Sequence, residues 1–275
     1  MKDLRGKVAV ITGGASGIGR AFAERCMEEG VKIVLADVEQ AALDQTTQAL
    51  KTAGAEVVGI RTDVSKVADV EALARTTLNT FGAVHLLFNN AGVASGGPLW
   101  ANTLADWEWV LGVNLWGVIH GVRAFVPIML QQNSEAHIVN TASMAGLVSG
   151  AGMGVYNVTK HAVVTLSETL QRDLEQQGAK IKVSVLCPGW VNTRIADSNR
   201  NRPAELQNDP LEDERRAAAN IIQGEAIRQL LRNGLSPEQV ADLVFEAIRS
   251  EKLYILTHPD WKPMVRSRLE AILAS

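Results

Sequence analysis

At 275 residues, 47% hydrophobic and 21% charged, the chain has the balance of a globular protein with a substantial core, which excludes a disordered or low-complexity scaffold. Its 27 basic and 30 acidic residues leave a net charge of -3, so bulk charge invites neither nucleic acid nor an anionic membrane. Cys26 and Cys187 are too few for a disulfide framework and stand in no metal-ligand spacing. No apolar run nears the ~18 residues that span a bilayer. A strand-like run already begins at Val8, where a signal peptide would stand, so a cytoplasmic protein is expected.

In chain order, Val8-Ala9-Val10-Ile11 is an apolar run closed by Thr12-Gly13-Gly14, which reads as a strand buried on both faces. A regular alternation follows: helix 18–29, strand 31–36, helix 39–52, strand 56–60, helix 66–81 and strand 84–89. A long helical pattern over 103–131 leads to strand 136–140, helix 155–177 to strand 181–186, and helix 237–249 to strand 253–256. Seven short apolar runs separated by helices require βαβ crossovers. The expected fold class is α/β: a Rossmann-type, doubly wound, seven-stranded parallel sheet with helices on both faces. Neither a repeat nor a mid-chain linker divides it, so a single domain over 1–275 is expected.

One segment breaks the rhythm. From Thr193 to about Gly224 the chain is polar and irregular, long enough for a substrate lid over 193–224, although a solvated insertion has the same composition. Beyond it, Ser236-Pro237-Glu238-Gln239 is a helix start: Ser236 can cap, Pro237 suits the first helical position, and Gln239 can close a capping box.

Thr12-Gly13-Gly14-Ala15-Ser16-Gly17-Ile18-Gly19 joins the first strand to the first helix. Glycines there allow a tight turn and close backbone approach, and the helix N-terminus offers unpaired N–H groups to a phosphate. Its place between strand and helix is what a dinucleotide site requires; alone it would be only a tight turn. Asp37 ends the second strand, 18 residues after Gly19. A carboxylate there accepts from the adenosine ribose hydroxyls and repels a 2′-phosphate. No Arg or Lys stands at position 16 or directly after Asp37, so NAD is expected over NADP. The plainer role for Asp37 is to cap the next helix.

Open α/β sheets bind ligands beyond the carboxyl ends of their strands. There stand Asn89-Asn90-Ala91-Gly92 and Thr141-Ala142-Ser143, and 13 residues after Ser143 comes Tyr156, with Lys160 one helical turn further on the same face. A phenol of pKa about 10 is a poor base at neutral pH. A neighbouring ammonium and an oxidised nicotinamide both favour the phenolate. Ser143 can hydrogen-bond a substrate oxygen, and Asn114 puts a polar group in mid-helix. Taken singly, these are a surface Tyr–Lys pair and a satisfied packing amide.

Together, Thr12–Gly19, Asn89–Gly92, Asn114, Ser143, Tyr156-x-x-x-Lys160 and Pro188-Gly189-x-x-x-Thr193 resemble the single-domain branch of the short-chain dehydrogenase/reductase family over residues 5–255. The resemblance implies hydride transfer between nicotinamide C4 and a secondary alcohol or ketone, without a metal. It implies Tyr156 as general acid/base, Lys160 lowering its pKa and holding the nicotinamide ribose, Ser143 orienting the substrate oxygen, and Asn114 holding a relay water. Asp63 would contact the adenine, Asn90 would line the cleft, and Pro188, Gly189, Val191 and Thr193 would hold the nicotinamide end. Gly13, Ser16, Gly17, Ile18, Gly19, Asp37, Val38, Val64, Ala91 and Gly92 complete the implied cofactor site.

One departure matters. Many members end in Asp-Gly-Gly after the last strand, whereas here Leu253–Leu256 runs into Thr257-His258-Pro259-Asp260-Trp261-Lys262-Pro263 and a tail, 257–275. That leaves a homodimer through the helices at 103–131 and 155–177, or a homotetramer, as the expected assembly. The tail and the Asn199–Pro210 segment faintly resemble members that oxidise bulky aryl-substituted alcohols.

In the family geometry the substrate would lie between Val93-Ala94-Ser95, the 144–153 segment and the residues after Pro188. Ser143, Tyr156, Met144, Leu147, Met153, Trp190 and Ile195 are the expected binding residues. Their apolar character points to a hydrophobic secondary alcohol or ketone as the small-molecule partner. Three other readings compete. A catalytically silent nucleotide-sensing or interaction protein on the same fold would be expected to have lost Tyr156 or Lys160. An NADP-dependent carbonyl reductase would invert the Asp37 argument. An epimerase or dehydratase of the longer-chain relatives would need a substrate domain for which this chain has no room.

Overall fold

The apolar runs become strands of a central sheet, the inner ones buried on both faces and the two edge strands partly exposed, as a computed structural model describing residues 1–210 and 224–275 shows. Of the expected 193–224 lid, residues 211–223 lie outside the described residues. The strands are β1 (Val8–Thr12), β2 (Lys32–Asp37), β3 (Val57–Arg61), β4 (Leu86–Asn89), β5 (Ala136–Thr141), β6 (Ile181–Cys187) and β7 (Tyr254–Leu256). Among the described residues these seven form one sheet in the order β3-β2-β1-β4-β5-β6-β7, every pair parallel. Boundaries differ from the sequence reading by one or two residues, the usual uncertainty of element ends.

Among the described residues, helices with both ends defined are α1 (Gly17–Glu28), α2 (Gln40–Thr52), α3 (Val67–Phe81), α4 (Leu104–Leu111), α5 (Gly117–Gln132), α6 (Gly154–Gln176), α7 (Pro237–Ser250) and α8 (Lys262–Leu273). Alternation along the strands sends Ala9, Ile11, Ile33 and Leu35 to one core with Phe22, Leu43 and Phe245 of α1, α2 and α7. Val10, Val34 and Ala36 face a second core with Leu73, Phe125, Met129 and Leu174 of α3, α5 and α6. The phenyl rings of Phe22 and Phe88, with centroids 4.8 Å apart, seat α1 beneath β4. Because the strand order reverses between β1 and β4, the chain leaves their carboxyl ends toward opposite faces, and a crevice opens there.

The single helix expected over 103–131 is instead two helices joined by a π-turn at Gly112–Trp116, with Asn114 buried inside it. The side chain of Asn114 accounts for the widened turn: Oδ1 accepts from the Val93 N–H at 2.8 Å and Nδ2 donates to the Val93 carbonyl at 2.9 Å. Such turns recur where a side chain must reach out of the regular ladder. The stretch Leu104–Gln132 has the length and hydropathy to cross a membrane. Here it packs Trp109, Val118, Phe125 and Met129 into the cores, as a core segment of this fold. At the start of α7 the expected capping box forms, with Gln239 N–H donating to Ser236 Oγ and Ser236 N–H to Gln239 Oε1. The segment after Thr193 is not wholly irregular: 3₁₀ turns occupy Ile195–Asn201 and Ala204–Leu206.

Candidate active site

A cleft of about 990 Å³ opens at the carboxyl edge of the sheet, between the glycine loop, the loop after β4, the start of α6 and the residues after β6. Gly13 and Gly17 adopt φ of +63° and +53°, and a Cβ on Gly19 would lie 2.1 Å from the Gly13 carbonyl oxygen. The loop therefore needs glycine at these points. Ser16 precedes α1 without a side-chain cap, so the first-turn amides of α1 are not taken by it. Thr12 Oγ accepts from the N–H groups of Asn90 (2.9 Å) and Ala91 (3.1 Å), and Asn90 Nδ2 donates to the Thr12 carbonyl (3.0 Å). These bonds tie the glycine loop to the loop after β4. A phosphate-accepting cradle of this kind, with uncapped helix amides behind it, fits a dinucleotide.

Asp37 stands at the end of β2 and accepts from the main-chain N–H groups of Ala15 and Glu39, each at 3.0 Å. Burial pushes its carboxyl up, against the pull of those bonds. Val38, Asp63, Val64, Asn90, Ala91 and Gly92 continue along the same wall, and Pro188, Gly189, Val191 and Thr193 close the far end.

Ser143 lies just beyond β5, accepting from the Ala145 N–H (3.1 Å) and donating to the Pro188 carbonyl (3.3 Å). Tyr156 sits in the first turn of α6. Burial raises its phenol pKa, while a hydrogen bond with Ser143 works the other way. One turn on, Lys160 Nζ donates to the Thr141 carbonyl at 2.9 Å and lies 5.5 Å from the centre of the Tyr156 ring. Burial pushes this ammonium down to about 8. Gly92 stands between Asn114 and Lys160: a Cβ there would lie 3.5 Å from Asn114 Oδ1 and 3.7 Å from Lys160 Nζ. The Asn114 amide is engaged by Val93 and, at 3.3 Å, by Thr159 Oγ, so its side chain holds the loop after β4.

Of the residues expected to touch substrate, Ser143, Tyr156 and Ile195 line the cleft, but Met144, Leu147, Met153 and Trp190 do not. Met144 is fully buried against Val163, Val185 and Cys187, and Leu147 packs on the same cluster. Met153 precedes α6 and pairs with Gly97, and Trp190 meets Trp261 edge-on at 6.1 Å. The 3₁₀ turn after Ser143 directs Met144 into the cluster with Val163 and Val185. Val93, Val191 and Leu231 also line the cleft. The tail also reaches the site: Gly189 N–H donates to Thr257 Oγ (3.2 Å), and the His258 ring lies where a Gly189 Cβ would be, 2.8 Å away.

Residues 194–208 form a strap along the cleft. Ala94 N–H donates to Ser198 Oγ (3.2 Å) in its middle. At one end Arg194, Arg200 and Asn201 converge on Glu39. At the other, Arg202 Nη1 pairs with Asp106 Oδ1 at 2.7 Å, both side chains only 3% exposed, with the guanidinium 5.1 Å from the Trp109 ring centre. Asn208 joins this pair and accepts from Thr103 Oγ at 2.7 Å. Sequence reading missed Glu39, Asp106, Arg200 and Arg202, since contacts between such distant positions leave no spacing to read.

A doubly wound parallel sheet with a glycine loop on β1 and a Ser, Tyr and Lys gathered beyond β5 define an oxidoreductase acting on CH–OH groups with a nicotinamide dinucleotide. The chain belongs to the short-chain dehydrogenase family, whose model matches residues 7–204. It is similar to a short-chain dehydrogenase/reductase of Burkholderia phymatum solved in complex with NAD, at 53% identity and TM-score 0.96, covering 100% of this chain and 96% of that one. It is 36% identical to the CLA biosynthesis dehydrogenase/reductase of Lactiplantibacillus plantarum, over 99% of this chain and 95% of the relative. It is 34% identical to the 1-deoxy-11-beta-hydroxypentalenate dehydrogenase of Streptomyces exfoliatus, over 98% and 89%.

Proposed function

We propose that the protein is a cytoplasmic NAD-dependent oxidoreductase that interconverts a hydrophobic secondary alcohol and its ketone. The observation that carries this reading is that Ser143, Tyr156 and Lys160 line the same cleft as the glycine loop and Asp37. Tyr156 is the general acid/base. In the oxidising direction its phenolate takes the hydroxyl proton while Ser143 hydrogen-bonds the substrate oxygen. The Lys160 ammonium opposes the upward push of burial on the phenol and holds the nicotinamide ribose. Asn114 fixes the loop after β4 and holds a relay water through which the proton leaves toward solvent by way of Lys160.

Gly13, Ser16, Gly17, Ile18 and Gly19 would hold the dinucleotide phosphates. Asp37, Val38, Asp63 and Val64 would hold the adenosine end, Asn90, Ala91 and Gly92 the middle, and Pro188, Gly189, Val191 and Thr193 the nicotinamide end. When bound, NAD supplies the hydride acceptor at nicotinamide C4. Two things support NAD over NADP: the Asp37 carboxylate on the cleft wall and the NAD in the Burkholderia relative's structure. Val93, Val191, Ile195 and Leu231 give the substrate end an apolar wall, and the Streptomyces relative is named for a hydroxy compound.

The domain is single over 1–275, with the strap as part of a substrate lid and 257–275 as its tail. Exposed Trp116 and Val158 support pairing of copies through the π-turn and α6, as a homodimer or homotetramer. Turnover of a panel of hydrophobic secondary alcohols, followed by absorbance of the reduced nicotinamide with NAD or NADP supplied, tests the reading. NAD-linked oxidation of apolar alcohols is expected; activity confined to small charged substrates, or to NADP, would contradict it.

A further inference from the structure

The strap ends on an acid for which the proposed reaction has no use. Glu39 lies two residues past Asp37, immediately before α2, and Arg200 reaches its Oε1 through Nε at 2.9 Å and Nη2 at 2.8 Å. Asn201 Nδ2 donates to the same oxygen at 2.9 Å, and Arg194 Nη2 lies 3.6 Å from Oε2. The main-chain N–H of Glu39 donates to Asp37 Oδ1, so the two acids stand side by side at the adenosine end of the cleft. Their partners differ. Asp37 is held by main-chain amides, whereas Glu39 is held by two guanidinium groups and an amide, all on the cleft wall. Burial works against the Glu39 charge, yet hydrogen bonds from Asn201 and Arg200 keep its carboxyl below the usual value. A guanidinium fork that fits a carboxylate fits a phosphate equally well.

We propose that Glu39 is a second cofactor-specificity residue: by occupying Arg194 and Arg200 it withholds from a 2′-phosphate the two strap cations that would otherwise receive it. This rests on the NAD reading above. Discrimination then has two parts, repulsion at Asp37 and the engagement of Arg194 and Arg200 by Glu39. The same contacts tie the strap down at the adenosine end.

Equilibrium binding of NADH and NADPH, read from nucleotide fluorescence, tests this in the wild type, E39Q and E39Q/R200M. The wild type is expected to prefer NADH. In E39Q the ratio of the two dissociation constants shifts toward NADPH by about tenfold, the scale of one charge-assisted hydrogen bond. Adding Arg200→Met removes that gain, and the gain shrinks as salt is raised. Equal weakening of both nucleotides in E39Q, an unmoved ratio, or a gain that survives without Arg200 would overturn the proposal alone. A wild type that binds NADPH as tightly as NADH would overturn the Asp37 reading, and this proposal with it.

Discussion

The two sides of the cleft are held by different chemistry. In the floor, Asn114, Ser143 and Lys160 are fixed by bonds to main-chain groups beyond β4, β5 and β6, Val93, Pro188 and Thr141, and Tyr156 bonds to Ser143. The strap over residues 194–208 is fixed by long charged side chains reaching Glu39 and Asp106. Main-chain partners are present whatever the neighbouring side chains are, so the floor can keep one geometry while the strap is rewritten residue by residue. On this account chemistry resides in the floor and the choice of cofactor and substrate in the strap.

Substitutions on each side can break or sharpen that division. The largest effect is expected for Lys160→Met, which should lower kcat by about 10²–10⁴-fold, the range a tuned acid/base supplies. Its melting temperature should change little, because removing an ammonium that burial pushes down to about 8 offsets the lost bond to the Thr141 carbonyl. A loss of activity explained entirely by unfolding would erase the distinction. On the strap, Arg202→Met removes a guanidinium from the buried Asp106 carboxylate and should lower stability in denaturant unfolding. It should raise KM for the alcohol far more than it lowers kcat; the reverse split would move the strap into the chemistry.

Asn114→Ala strips partners from the buried Val93 amide and carbonyl, at about 1–3 kcal/mol for each group left unpaired. Calorimetry should find the lower stability, and kcat should fall with it because the loop after β4 loses its anchor. The smallest effect per unit of the variable changed concerns pH. His137, on β5 beneath the floor, bonds Ser184 Oγ through Nε2 at 2.8 Å, and burial pushes its pKa down to about 3. The unfolded chain takes up this proton near 6.5 while the folded chain does not. Stability is therefore lost as pH falls from 6.5 toward 3, by at most about 1.4 kcal/mol per pH unit. His137→Asn should flatten that slope in urea melts, while the carboxylate–guanidinium pairs of the strap leave it unchanged above the carboxylate range.

The same division decides what was legible beforehand. The parallel sheet followed from Val8–Ile11 and its counterparts, because strands buried on both faces leave continuous apolar runs. Thr12–Gly19 and Tyr156-x-x-x-Lys160 could be read because a tight turn and one helical turn each impose a spacing. The π-turn at Asn114 could not, since a single added residue barely disturbs the apolar periodicity across 103–131. Met144 was assigned to the substrate, but which way a 3₁₀ turn faces depends on packing against Val163 and Val185. The strap was visible only as a polar, long connection. Arg200 meets Glu39 and Arg202 meets Asp106 across distances in sequence that no local pattern encodes.

Tyr156→Phe tests the central claim most directly, because it removes one oxygen and leaves the floor's main-chain bonds in place. With NAD and an accepted alcohol supplied, formation of reduced nicotinamide should fall below detection, while NADH binding by fluorescence stays at the wild-type dissociation constant. Turnover retained at the wild-type rate would contradict the account.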